Sequence, residues 1–297
     1  AEIANKVGVP IDKIYFSDHH LSHAASAFYP SPYKKAAILT LDGVGEWSVG
    51  SYGVGHGNKI EFYKELRFPH SLGLLYSSFT AFLGFEVNEG EYKVMGMAPY
   101  GIPRYVNKIK KVVNIKRDGS IQLDMDYFTF HSTPDKNFNQ KFEKLFAKAR
   151  PADDLFFTEK TGYPRFWGIK PRDYRQKLRE NQKYADIAAS IQAVTEEIIL
   201  KMCNYIHKET GLTNLCMAGG VALNSVANGK IVSQTPFKNL WVQPAAADSG
   251  GALGAALYLH HQILGNKRRS KQLHSFLGKS YSKKAIKSFL DKKAIPY

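Results

Sequence analysis

Three times in this chain an apolar run short enough to be a buried strand leads straight into an acidic or glycine-rich turn. Ala36-Ala37-Ile38-Leu39-Thr40-Leu41 runs into Asp42-Gly43-Val44-Gly45-Glu46. Residues 214–217 run into Ala218-Gly219-Gly220-Val221-Ala222-Leu223-Asn224, and residues 240–242 into Pro244-Ala245-Ala246-Ala247-Asp248-Ser249-Gly250-Gly251. Open α/β folds gather their ligands at the carboxyl ends of strands, so this recurrence predicts an α/β architecture with its site at those turns. Taken singly, each turn is ordinary. Asp42-Gly43 suits a hairpin, glycine links between strand and helix are common, and Asp248 sits where aspartate is favoured simply as a helix cap.

The intervening segments fit that architecture. Further strands are expected over residues 47–54 and 59–68, and helical spacing of apolar residues runs through 72–85. A long helix is expected over residues 184–207, with Ile187, Ala188, Ile191, Val194, Ile198 and Met202 on one face, and a small-residue helix over 252–263. Residues 103–182 are more polar and irregular, with an Asp118-Gly119 hairpin turn, and read as an insertion between core elements.

A second signal precedes the first strand. In Asp18-His19-His20-Leu21-Ser22-His23-Ala24, His19 and His23 are four residues apart and would stack on one helical face, able to hold a metal from one side. His20 lies about 100° round that helix and cannot join them. Two hydrogen-bonded histidines at a helix start explain the pair equally well.

The chain has 297 residues, 44% hydrophobic and 13% aromatic, enough for a substantial core in two domains or lobes. No apolar run approaches a membrane span, residues 1–15 hold no secretory h-region, and no membrane partner is expected. Cys203 and Cys216 lie in apolar segments without metal-type spacing, as buried thiols of a reducing cytoplasm would. The formal net charge is +15, of which residues 266–297 carry +9. A charge block at one end reads as a solvated linker, and without any RNA-stacking or helix-turn-helix signature it argues for anionic ligands rather than nucleic acid. The apolar pattern Ile3, Val7, Val9, Ile11, Ile14 is already under way at Ala1, which suggests a piece of a longer protein.

Taken together and in order, these segments resemble the carbamoyltransferase family of nodulation-factor and antibiotic O-carbamoyltransferases. The His motif and the Asp42-Gly43-Val44-Gly45-Glu46-Trp47 turn carry the resemblance. So do Ser71-Leu72-Gly73-Leu74-Leu75-Tyr76, the stretch from Gly90-Glu91-Tyr92-Lys93 to Ala98-Pro99-Tyr100-Gly101, Gly219 to Asn224, and Asp248-Ser249-Gly250-Gly251-Ala252. The likeness covers most of residues 15–265 and is weakest in the insertion.

The resemblance implies an actin/Hsp70-like (ribonuclease H-like) fold with mixed sheets and flanking helices, akin to the catalytic subunit of tRNA threonylcarbamoyladenosine synthesis. It divides the chain into an N-terminal lobe (1–102), an insertion (103–182), a C-terminal lobe (183–265) and a basic linker (266–297) towards a C-terminal activating domain. That domain would make carbamoyl-adenylate from ATP and carbamoyl phosphate. The present lobe would pass the carbamoyl group to a hydroxylated small-molecule or glycan acceptor. By motif position His19, His23, Asp42 and Asp248 would hold a divalent metal, for which mixed imidazole and carboxylate ligands suit iron(II) and, less definitely, zinc or manganese. Gly219, Gly220 and Asn224 would cradle the adenosine, with Gly43 and Gly45 beside it. A bulky residue at 220 is then expected to weaken nucleotide binding while sparing the metal.

Other residues carry weaker readings. His20 is either a base for the acceptor hydroxyl or, by the bland reading, a packed histidine. Glu91 and Lys93 read as oxygen contacts or as an internal ion pair. Arg165, Arg172 and Arg175 read as anion contacts or a solvated basic face, and His260 and His261 as surface residues. Two rival functions stand: a tRNA-modifying subunit using the basic tail as an arm, and a non-enzymatic ATP-binding module of the actin/Hsp70 class, which needs neither histidine.

Overall fold

The computed structural model describes residues 2–133, 136–152, 154–269 and 271–297. In chain order the elements are α1 (Glu2–Val7), α2 (His19–Phe28), β1 (Lys35–Gly45), β2 (Ser48–His56), β3 (Lys59–Arg67), α3 (Leu72–Phe82), α4 (Glu91–Met97) and α5 (Val106–Ile109). They continue as β4 (Val113–Ile115), β5 (Ile121–Leu123), α6 (Gln140–Phe146), α7 (Tyr174–Thr210), β6 (Asn214–Ala218), α8 (Ser225–Gln234), β7 (Asn239–Val242), α9 (Ser249–Tyr258) and α10 (Lys283–Lys292).

Five strands form one mixed sheet in the order β3-β2-β1-β6-β7. β1, β2 and β3 pair antiparallel, as their short connections require, whereas β6 joins β1 in parallel and β7 follows β6 in parallel. This is the mixed α/β sheet with flanking helices that the sequence predicts. Residues 1–102 and 183–265 contribute to the same sheet.

The pleat of β1 sorts its side chains between two cores. Ala37, Leu39 and Leu41 join the large cluster built with α3 and α7. Ala36 and Ile38 face the other way, against Ala24, Ala25, Ala27 and Phe28 of α2. Thr40 shares that second face through its hydrogen bond to His20 of α2. Helix α9 lies against α2 so closely that a Cβ on Gly254 would run into the Ser22 carbonyl.

Helix α7 starts at Tyr174, ten residues before its expected start, and ends where Gly211 takes the left-handed conformation (φ +66°) and donates to the His207 carbonyl at 2.7 Å. The insertion is less separate than its polarity suggests. Its Ile109, Val112, Val113, Ile121, Leu123, Phe128, Phe142 and Phe146 all enter the α3–α7 core.

Arg268 departs from the reading of residues 266–297 as a solvated linker. Its guanidinium donates to the carbonyls of Phe28, Tyr29, Ser31 and Tyr33 at 2.9–3.1 Å, and lies 4.4 Å from the Phe28 ring centroid. These carbonyls sit at and beyond the C-terminus of α2, where a cation is favourable. No helix of the described residues is long and apolar enough to cross a membrane.

Candidate metal centre

Helical periodicity brings His19 and His23 to one face of α2, with their Nε2 atoms 3.0 Å apart. The pleat of β1 turns Asp42 towards the same helix, and its Oδ2 lies 3.0 Å from His19 Nε2 and 3.1 Å from His23 Nε2. Asp248, at the start of α9, brings Oδ1 to 3.5 Å from both histidines. Its side chain makes no capping hydrogen bond, so the cap role is not what holds it there. All four donor atoms lie within 4.8 Å of one another.

These separations suit a common cation. Donors about 2.0–2.2 Å from a metal stand roughly 3.0 Å apart at right angles and about 3.5 Å apart in a tetrahedron. Two neutral imidazoles and two carboxylates also carry a formal charge of −2, which a divalent ion offsets. The site is graded in exposure: the His23 side chain is 1% exposed and that of Asp248 76%, so the buried end is fixed and the Asp248 end faces solvent.

Neighbouring groups hold Asp42 and His19 in place. Asp42 uses its second oxygen, Oδ1, to accept the Gly220 N–H at 2.8 Å, and the Ser71 hydroxyl donates to its carbonyl at 3.0 Å. Burial raises the Asp42 pKa, but the hydrogen bonds from His19, His23 and Gly220 outweigh it and hold the carboxyl well below the usual carboxylate range. The hydrogen bond with Asp42 raises the His19 pKa against the opposing effect of burial. At Gly45 a Cβ would run into the His19 imidazole, so the glycine lets the turn after β1 close over the ring.

His20 is directed elsewhere. Its Nδ1 meets the Thr40 hydroxyl at 2.7 Å, and that hydroxyl also receives the Ser51 N–H and lies 3.2 Å from the Ser51 carbonyl, which takes its proton. The Nε2 of His20 is buried with no hydrogen-bond partner among the described residues. Burial, then the neighbouring His23 and His19, lowers its pKa to about 4.

Gly219 and Gly220 lie at the carboxyl end of β6, beside Asp42 and Gly43 at the end of β1. A Cβ on Gly220 would sit 3.0 Å from Asp42 Oδ1, so this turn and the Asp42 carboxylate are in close contact. Bulk at position 220 would therefore press on Asp42. Asn224 caps α8 by accepting the Ala227 N–H at 3.0 Å. Its amide pairs reciprocally with that of Gln192, two contacts of 3.0 Å, and Gln192 also accepts from the Tyr76 hydroxyl and donates to Glu196.

Several sequence readings change. Glu91 accepts from the Ser77 hydroxyl (2.8 Å) and the Asn88 N–H (3.1 Å), whereas Lys93 lies 5.9 Å from the ring centroids of Phe85 and Tyr92, so the two form no ion pair. His260 is exposed as expected, but His261 is buried against Tyr29, with Nδ1 2.8 Å from the Asn266 carbonyl. Arg165, Arg172 and Arg175 are exposed on the insertion. The roles of Thr40, Ser71 and Gln192 are not legible in the sequence, because they depend on partners 20 or more residues away.

Residues 6–257 match the family model described as the carbamoyltransferase N-terminus. The uncharacterized protein sll1178 of Synechocystis sp. is 44% identical over 300 residues, covering 99% of this chain and 45% of that protein. Nodulation protein NolNO of Sinorhizobium fredii is 32% identical over 263 residues, covering 88% of this chain and 34% of its own length. The chain thus spans less than half the length of these relatives. Among solved structures, full-length HypF in its phosphate- and nucleotide-bound form aligns with a TM-score of 0.43 and 16% identity, over 91% of this chain and 46% of that one.

Proposed function

Since the chain belongs to the carbamoyltransferase family, we propose that it is the lobe that transfers a carbamoyl group from carbamoyl-adenylate to a hydroxyl of a small-molecule or glycan acceptor. The observation that carries this reading is the convergence of His19, His23, Asp42 and Asp248 beside the Gly219-Gly220 turn. In this reading those four side chains hold a divalent metal, preferentially iron(II). The bound ion supplies a Lewis acid that stabilises charge as the carbamoyl carbonyl is attacked.

The chain's own groups prepare that chemistry. His23 and Asp42 form the fixed end of the site, and the exposed Asp248 end admits substrate oxygens. The turns at Gly43, Gly45, Gly219 and Gly220 let backbone approach the adenylate. Asn224 acts mainly by holding the turn, since both ends of its amide are engaged with Gln192. His20, tied to Thr40, keeps α2 in register with β1 so that the two ligating histidines meet Asp42. A base role for His20 towards the acceptor would require its buried Nε2 to be uncovered.

The activation step, from ATP and carbamoyl phosphate, is assigned to a separate activating domain of the same cytoplasmic protein. Arg268 of the basic segment is engaged with α2 while its other basic residues stay exposed, so the tRNA arm of the assay below decides against or for that acceptor. A purely ATP-binding module would not need the two histidines.

The test is to supply pre-formed carbamoyl-adenylate and iron(II) under anaerobic conditions with hydroxylated sugars or with tRNA, following AMP and carbamoylated product by mass spectrometry. Sugar carbamoylation that falls at least 10-fold in His23→Ala supports the reading. Product on tRNA alone, or AMP release unchanged in the variant, would overturn it.

A further inference from the structure

On the face of β1 turned away from the histidines, Leu39 and Leu41 floor a half-open cavity of about 420 Å³ together with Met202 and Ile206 of α7. Strand alternation makes this separation strict: Leu41 points into the cavity, and the next residue, Asp42, points to α2. Among the residues lining the cavity there is no member of the metal cluster and none of the glycine turns at positions 43, 45, 219 and 220. The volume falls within the roughly 300–1,000 Å³ of small-molecule pockets.

The walls and mouth differ in character from the floor. Tyr52 and Tyr205 present aromatic walls, their ring centroids 6.0 Å apart. At the mouth stand Lys64, Arg67 and Lys116, with two carboxylates, Glu65 and Asp118. Both carboxylates are already engaged, Glu65 with Arg67 at 2.6 Å and Asp118 with the Ser120 hydroxyl at 2.6 Å. Lys64 is held on Tyr205, with its ammonium 4.6 Å from the ring centroid, while Lys116 forms no ion pair among the described residues. Next to it the surface continues into a shallower hollow that adds Arg117 and Lys208. His70 accepts the Leu123 N–H through Nδ1 at 3.2 Å, which leaves its Nε2–H as a further donor.

We propose that this cavity is a second binding site, for a small amphipathic anion whose apolar body lies between Tyr52, Leu66 and Tyr205, above the buried Leu39, Leu41, Met202 and Ile206, and whose carboxylate or phosphate head meets Lys116 at the mouth. An apolar floor alone would take any hydrophobic molecule. At the rim Lys64, Arg67 and Lys116 outnumber Glu65 and Asp118, and this excess of positive charge selects a negative head. The proposal is independent of the carbamoyl-transfer reading, because it uses none of the residues on which that reading rests.

The probe is 8-anilinonaphthalene-1-sulfonate, an aromatic body with one anionic head, titrated into the 297-residue chain. N-phenyl-1-naphthylamine, the same body without the sulfonate, serves as the neutral control. The expected result is one saturable equivalent of the anion, bound at least fivefold more tightly than the neutral dye. Lys116→Glu, at an exposed position, should weaken the anion at least fivefold and change the neutral dye less than twofold. Leu66→Trp, from the half-buried wall, should weaken both. Circular dichroism checks that both variants are folded. Equal affinities for the two dyes, or binding indifferent to both substitutions because the dye sits on the exposed apolar residues of 273–297, would overturn the proposal.

Discussion

Asp42 carries its two carboxylate oxygens to two different parts of the molecule. Oδ2 faces His19 and His23, and Oδ1 takes the N–H of Gly220 from the turn after β6. A side chain at position 220 would press on Oδ1 at contact distance, so Gly220→Val is expected to disturb both oxygens. The anticipated outcome is a metal affinity lowered by about 10-fold, on the scale of losing a group that orients a metal ligand, together with weaker ATP binding. Calorimetric titration of metal and of ATP into the same preparations reads both. Unchanged metal affinity would show that the turn and the carboxylate act separately. At this scale the sequence was informative where a local rule applies: the i, i+4 period puts His19 and His23 on one face. It was silent on Thr40, Ser71 and Gln192, whose hydroxyl and amide partners lie 20 to 32 residues away and leave no periodic trace.

Helix α2 delivers two of the four converging side chains, and its far end is held by Arg268. Four carbonyls at and just past its C-terminus receive one guanidinium, which is half-buried and stacked on Phe28. Arg268→Ala is expected to destabilise the fold by about 2 kcal/mol, the upper range for a partly buried cation at a helix end. Arg268→Lys should recover only part, because an ammonium lacks the planar fork that reaches several carbonyls. Urea unfolding measures both, and an alanine variant with an unchanged midpoint would show that the strap contributes nothing. Charge counting placed Arg268 in a solvated block because composition cannot distinguish one residue reaching back more than 230 positions from its neighbours. The start of α7 was hidden for a related reason: residues 174–183 are mostly polar, and the apolar stripe that marks a helix begins only later.

Across the whole molecule, one mixed sheet connects everything discussed. Its parallel half places the ends of β1 and β6 side by side, which is why residues more than 200 positions apart, from His19 to Asp248, meet at one point. The recurrence of strand and turn made that architecture legible, since buried apolar runs and glycine or aspartate turns follow from elementary backbone chemistry. The depth to which the insertion shares the core was not legible, because scattered residues such as Phe128, Phe142 and Phe146 become a cluster only after folding. The central claim is that His19, His23, Asp42 and Asp248 form one divalent-metal site. It is tested most directly by anaerobic calorimetric titration of iron(II) into the chain and its His23→Ala and Asp42→Asn variants, with circular dichroism to establish that each is folded. One equivalent bound by the parent chain, with affinity reduced at least 10-fold in each folded variant, is the expected result. Equal affinity and stoichiometry in the parent and both variants would contradict it.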